Sequence, residues 1–193
     1  MQDKDIKPAY KHSKIGNFMF FICAKATKVL VKSRFLYYFL ACTWGILLTV
    51  AGWFITLALA IAKIFNKNIK FEKYCWVYDI KAGPDYWGGF EMGLMFVRDH
   101  KSWGPGLNPH EFGHTFQNCL LGPFMLFLVS LPSAIRYWIR YFKYDHKGIK
   151  CPRAYDSIWF EDFATQGGNY AIRYLESKIR TIKYLRNSSL SSK

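Results

Sequence analysis

The five cysteines, at positions 23, 42, 75, 119 and 151, form no CxxC pair and are odd in number. They supply no disulfide framework and fit free thiols in a reducing compartment. Acidic residues are scarce as well: 13 Asp and Glu stand against 27 Lys and Arg, for a formal net charge of +14. Such a balance raises nucleic acid as a partner, but the basic residues lie beside apolar segments. Lys4, Lys7, Lys11, Lys14, Lys25, Lys28, Lys32 and Arg34 all precede the longest apolar run, and others follow it. Membrane lipid, anionic by charge, is therefore the expected partner, and no nucleic acid is expected. Internal repeats and low-complexity tracts are also lacking.

What the chain does have is a run without charge from Phe35 to Ala62, FLYYFLACTWGILLTVAGWFITLALAIA. About 20 apolar residues cross the hydrocarbon core, so residues 35–65 read as a transmembrane segment, either one tilted span or a hairpin bent at Gly45 and Gly52. The run begins too late and is too long for a removable signal peptide. Eight basic residues before a single span favour an N-terminus inside and a following domain outside, whereas a hairpin keeps both ends on one side. Residues 1–34 form a basic segment in which IGNFMFFICAKATKVLV, 15–31, reads as an amphipathic helix along the membrane surface. A second apolar run, LLGPFMLFLVSLPSAIRYWIRYFKY, is short for a span. Its Arg136, Arg140 and Lys143 interleave with Tyr137, Trp138, Tyr141 and Phe142, which suits an interfacial helix near 120–144. Residues 66–186 leave room for one compact domain, and 187–193 form a Ser-rich flexible tail.

Within that domain NPHEFGHTFQN, 108–118, sets two histidines four residues apart with a glutamate after the first. By composition such a string arises by chance in roughly three of a thousand chains of this kind, so the surroundings must carry part of the case. They do: Asn108 suits an N-cap and Pro109 a first helical position. On a helix, His110 and His114 lie one turn apart on one face and reach a common point, a half-site for zinc. Glu111 points beside that point, where a carboxylate can take a proton from a metal-bound water. The plain alternative is a helix with two unrelated histidines.

A catalytic zinc of this type takes a third protein ligand and keeps a water in the fourth position. Gln117 and Leu120 stand where the metzincin extension needs Gly and His, so that class is excluded. No later Asp sits in a Gly-containing apolar segment, which leaves the intramembrane type unsupported. The downstream candidates are Asp145, His146, Asp156, Glu161, Asp162 and Glu176. Glu161 has the best context, in AYDSIWFEDFATQGGNY, where Asp156 or Ser157 can cap a helix running to Gly167. A carboxylate flanked by Trp159, Phe160 and Phe163 is costly to bury unless a cation compensates it.

The pattern HEFGHTFQ, GPF, LPS and YDSIWFEDFAT resembles small bacterial membrane proteins with a gluzincin-like zinc metallopeptidase motif, over roughly Gly88 to Gly168. The resemblance implies His110, His114 and Glu161 as zinc ligands and Glu111 as general base. It departs at Thr165, where gluzincins often carry an Asp that supports a ligand histidine; Asp162 or Asp156 could substitute. Tyr155, Tyr170 and Tyr174 are open candidates for stabilising an oxyanion.

Upstream, GGFEMGLMFV, 88–97, alternates Phe90, Met92, Leu94 and Phe96 and reads as a strand. Gly89 and Gly93 suit close approach of another backbone. In zincins such an edge strand pairs with substrate; a simple hairpin strand is the alternative. RDHKSWGPGL reads as a loop, with His100 a surface residue. The expected fold class is α+β, a predominantly helical zincin-like domain with a small antiparallel sheet plus an N-terminal transmembrane segment. The expected function is a membrane-anchored zinc metallopeptidase acting on peptide or protein substrates. The alternative is a non-catalytic membrane structural or interaction protein that retains the scaffold.

Overall fold

The computed structural model describes residues 5–85, 87–101 and 107–191, with side chains to residue 182. Three helices open the chain: α1 (Lys14–Leu30), α2 (Arg34–Cys42) and α3 (Ile46–Phe65). Four strands follow, β1 (Lys70–Tyr74), β2 (Val77–Lys81), β3 (Gly89–Met92) and β4 (Met95–Arg98). Then come α4 (Leu107–Leu121), α5 (Leu131–Lys143) and α6 (Trp159–Ser191). The architecture is α+β, mostly helical.

Ser13 and Ser33 start α1 and α2 by accepting hydrogen bonds from Gly16 N and Leu36 N, the use short hydroxyl side chains have at helix starts. The amphipathic pattern of α1 serves the protein rather than a membrane surface alone. Its Phe20, Cys23, Ala24 and Leu30 join Phe112, Phe116, Phe163 and Ala171 in one core, so the basic N-terminal segment folds onto α4 and α6.

The run read as one long segment divides at Thr43–Gly45 into α2 and α3. Gly45 lies against Asn118, where an added Cβ would stand 2.8 Å from Nδ2. Tyr37 of α2 is fully buried and donates to Thr115 Oγ1 of α4 at 2.7 Å, which turns α2 into a core helix. Among the described residues, α3 alone is a single straight helix long and apolar enough to cross a membrane.

The sheet order is β1-β2-β4-β3, with β2 and β4 parallel and the other pairs antiparallel. The sheet is thus mixed, where an antiparallel one was expected. The stretch read as a strand over 88–97 is instead the β3–β4 hairpin, turned at Gly93 (φ 70°). Glycine is required there twice over, by the left-handed backbone and because a Cβ would lie 2.4 Å from Thr49 Oγ1. Since β3 folds back outside β4, β4 lies next to β2 and runs parallel to it.

The sheet has α4 on one face, through Phe96 and Phe112, and α3 on the other, through Ile80, Met95 and Val97. Arg98 of β4 holds Asp79 of β2 through Nε at 2.9 Å and Nη2 at 2.9 Å. Asn108 Nδ2 joins them at 3.1 Å from Asp79 Oδ2. Asn108 therefore sits inside α4 as a tie to the sheet, not as its cap, and the cap position before Leu107 lies outside the described residues. The loop glycines and proline at 104–106 lie outside them too.

After α4 the chain bends by 115° before α5. Gly122 (φ 55°) makes the bend under Trp44, whose Nε1 donates to Leu120 O at 2.9 Å, and Pro123 follows. A π-helical turn, Leu126–Ser130, leads into α5, none of whose residues is buried. The final helix does not stop at Gly167 but runs to Ser191, through the stretch read as a tail; 192–193 lie outside the described residues.

Candidate metal centre

Gly113 and Gly168 are what bring α4 and α6 together. A Cβ on Gly113 would stand 1.9 Å from Ala164 O, and one on Gly168 would stand 1.7 Å from Pro109 O. Glycine at both points lets the two backbones cross in contact, so that Glu161 of α6 reaches the His110–His114 face of α4.

Three donor atoms converge there. His110 Nε2 and His114 Nε2 are 3.2 Å apart, and Glu161 Oε2 lies 3.1 Å and 3.3 Å from them. Four ligands placed about 2.0–2.1 Å from a tetrahedral zinc stand about 3.3 Å from one another, so the three atoms form one face of such a tetrahedron. This buried group can hold a metal ion.

Each donor is held from behind. His114 Nδ1 is 2.6 Å from Gln117 Oε1, and Gln117 Nε2 donates to Phe160 O at 3.0 Å. His110 Nδ1 is 2.8 Å from Thr165 Oγ1, which donates to Asp156 Oδ2 at 3.3 Å. Both rings can thus carry the proton on Nδ1 and direct the Nε2 lone pair at a metal. Glu161 Oε1 accepts from Ser133 of α5, whose hydroxyl is 2.9 Å from Tyr155 OH. Thr165 therefore relays to Asp156 where an Asp was expected. Asp162 turns away and accepts from Ala9 N, Tyr10 N and His12 Nε2, anchoring the N-terminal segment.

The other candidates separate cleanly. Asp145 and His146 lie on an exposed turn, and Glu176 pairs with Arg180 at 3.6 Å. Tyr155 reaches the cluster through Ser133, whereas Tyr170 and Tyr174 belong to the α1–α4–α6 core. His100 is no part of the cluster.

Glu111 is buried beside the donors, its Oε2 has no hydrogen-bond partner, and its Oε1 lies 3.3 Å from where a Gly89 Cβ would be. It thus stands between the donors and the outer strand β3. Burial raises its pKa, while His110 and His114 oppose the rise. Glu91, two residues after Gly89 on the same face of β3, is a second buried carboxylate that the sequence reading passed over. Burial carries it up to about 8, and its Oε2 is unpartnered. A lone charge at an inward strand position was the available signal. Gln117 likewise had one, its i+3 spacing from His114; Ser133 had none.

Burial opposes a charge on His114, yet the hydrogen bond and field of Glu161 bring its pKa up to about 9. Burial alone would raise Glu161, but hydrogen bonds from both histidines hold it far below the usual carboxylate range. In the metal-free protein, the raised His114 contributes stability that is complete below pH 6.5 and is lost as pH rises through about 9. Glu161 contributes stability present above pH 4.5 and lost at lower pH. Metal binding runs against the first effect, because a ligand ring must shed its proton. Release of one proton makes apparent affinity rise about tenfold per pH unit between neutral pH and 9. Calorimetric titration with zinc at three pH values checks this, and a flat profile contradicts it.

Loss of the backing groups is expected to loosen the donors. Gln117→Ala and Thr165→Ala should each weaken zinc binding by about 10–100-fold with the fold retained, measured by competition with a chromogenic chelator. Unchanged affinity in both would show that the rings are held by packing alone.

Comparison with family models, curated proteins and solved structures returned no match. The functional reading therefore rests on the geometry of the cluster.

Proposed function

We propose that this chain is a membrane-anchored zinc metallopeptidase. The observation that carries the reading is the convergence of His110 Nε2, His114 Nε2 and Glu161 Oε2 on one point, with the unpartnered carboxylate of Glu111 beside it. Two imidazoles and one carboxylate suit zinc, and three protein donors leave a position open for substrate and water. Zinc held there supplies a Lewis acid that polarises the scissile carbonyl and acidifies a water.

The chain's own groups do the rest. A cation at the donors favours the ionised form of Glu111, which burial otherwise disfavours, so that it can act as base. Glu111 takes the proton of the attacking water and delivers it to the departing amide nitrogen as the C–N bond breaks. Ser133 fixes the free oxygen of Glu161, and Tyr155 behind it offers a hydroxyl on the α5 side of the site. β3, an edge strand with Gly89 beside Glu111, offers backbone to which an extended peptide can pair.

The burial of the cluster would also suit a structural metal in a non-catalytic protein. Closed structural sites, however, use four protein ligands, and the described residues bring three together. The test is hydrolysis of a mixed peptide library by the zinc-loaded protein, stopped by chelation and restored by zinc. An uncleaved library with zinc bound would favour the structural reading.

A further inference from the structure

We propose that α3 does not cross the bilayer, and that α3 and α5 together insert into one leaflet, leaving the rest of the chain on a single side. The inference does not depend on the peptidase reading.

One side of α3 is covered by the sheet and its neighbours. Its inner stripe, Leu48, Gly52, Ile55, Leu59 and Ala62, packs on the sheet and its neighbours over most of the helix. Leu48 joins Leu121 and Met125, a Gly52 Cβ would stand 2.4 Å from Met92 O, and Ile55, Leu59 and Ala62 meet Ile69, Ile80, Met95 and Val97. Near its end, Lys63 Nζ lies 5.2 Å from the Phe71 ring of β1. The contact therefore runs for about 20 Å along a helix about 30 Å long. If α3 spanned the hydrocarbon, the sheet would go in with it. That would carry the exposed Lys70 and Lys73, the Glu72–Lys81 ion pair and the open edge of β1 into lipid. Unpaired strand edges and unpaired charges are not tolerated there.

Leu47, Phe54, Leu57, Ile61 and Ile64 repeat at helical spacing on the face away from the sheet, and all are exposed. Such a face on a helix backed by a sheet with a charged edge strand fits insertion parallel to the membrane rather than through it.

The exposed apolar surface continues from α3 onto α5. Trp44, just before α3, contacts Phe124 at 6.3 Å between ring centres. From there the exposed Phe127 and Leu128 lead to the stripe of α5, Leu131, Ile135, Trp138, Ile139 and Phe142. The opposite side of α5 is polar and engaged: Arg136 donates to Ala154 O at 2.9 Å and Arg140 to Arg153 O at 2.6 Å. Exposed lysines stand at the C-terminal ends of both helices, Lys63 and Lys67 at α3 and Lys143, Lys147 and Lys150 at α5, and lysines at the ends of an apolar surface match an anionic headgroup layer. An apolar surface fringed by cations commits the occupant to lipid rather than to another protein. The metal cluster lies just behind it, since Ser133 of α5 bonds Glu161.

The test places a specific protease site at the N-terminus, at Lys67 after α3, and at the C-terminus of the full chain, in sealed membrane vesicles from expressing cells. One-sided insertion predicts that all three sites are cut together or protected together. A Lys67 site on the opposite side from the N-terminal site overturns the proposal, whether α3 is the only crossing or the first of two. A photoreactive benzoylphenylalanine at Leu57 should, in the same vesicles, give lipid adducts. Adducts to protein alone would also overturn the proposal, by showing that a partner chain covers the stripe.

Discussion

Glu111→Gln is expected to lower peptide hydrolysis by about 10²–10⁴-fold while leaving zinc bound at wild-type stoichiometry. The amide keeps the size of the carboxylate but cannot accept the proton of the attacking water. It also removes a buried ionisable group that has an unpartnered oxygen, so the fold should not suffer. Glu111 is none of the three converging donors, which is why metal content should be indifferent to the change. The loss should appear in kcat rather than in KM, because the proton transfer belongs to the transition state. Parallel loss of zinc would instead make Glu111 a ligand, and undiminished turnover would remove it from the chemistry.

Gly113→Ala, like Gly168→Ala, should be among the most damaging methyl additions at the described residues. The new Cβ would meet backbone, Ala164 O at 1.9 Å and Ala164 C at 2.6 Å, so no rotamer change relieves it. α4 and α6 would have to separate at the point that brings Glu161 to the histidines. A cost of about 3 kcal/mol or more is expected, the upper end for overpacking, together with weakened zinc binding. Gly148→Ala serves as the control. Its backbone is left-handed (φ 66°) but nothing lies within 4 Å, so strain of about 1 kcal/mol is expected with zinc binding intact. Thermal denaturation in detergent, read beside zinc content, separates the two. Equal effects would mean that the helix crossing is not what assembles the site.

These glycines also show how far the sequence could be read. The donor set followed from local rules: one helical turn between His110 and His114, and a carboxylate among aromatic residues that burial alone would penalise. Gly167, read as a helix end, misled, because a glycine that ends a helix and a glycine that admits a neighbouring backbone look alike in sequence. The partner that decides between them, Pro109 O for Gly168, is 59 positions away. Gly93 is a similar case. Strand alternation ran through it, but its two-residue turn placed β4 inside the sheet and parallel to β2, so the sheet came out mixed. The apolar run from Phe35 to Ala62 gave hydrophobicity without direction. Only the packing of Tyr37 on α4 and of Ile55 and Leu59 on the sheet shows that one side of it faces the protein. Ser133 and Tyr155 sit behind Glu161 because α5 and the segment before α6 fold over it, which no local spacing encodes.

The central claim is that His110, His114 and Glu161 form one metal site. Metal content by mass spectrometry on the purified full chain tests it most directly, comparing wild type, Glu161→Ala and the double change of both histidines to Ala. The expected result is about one zinc per chain in the wild type after repletion and loss of it in both variants, with the variants still folded. A wild type that takes up no zinc, or a Glu161→Ala protein that keeps it at undiminished affinity, would contradict the account.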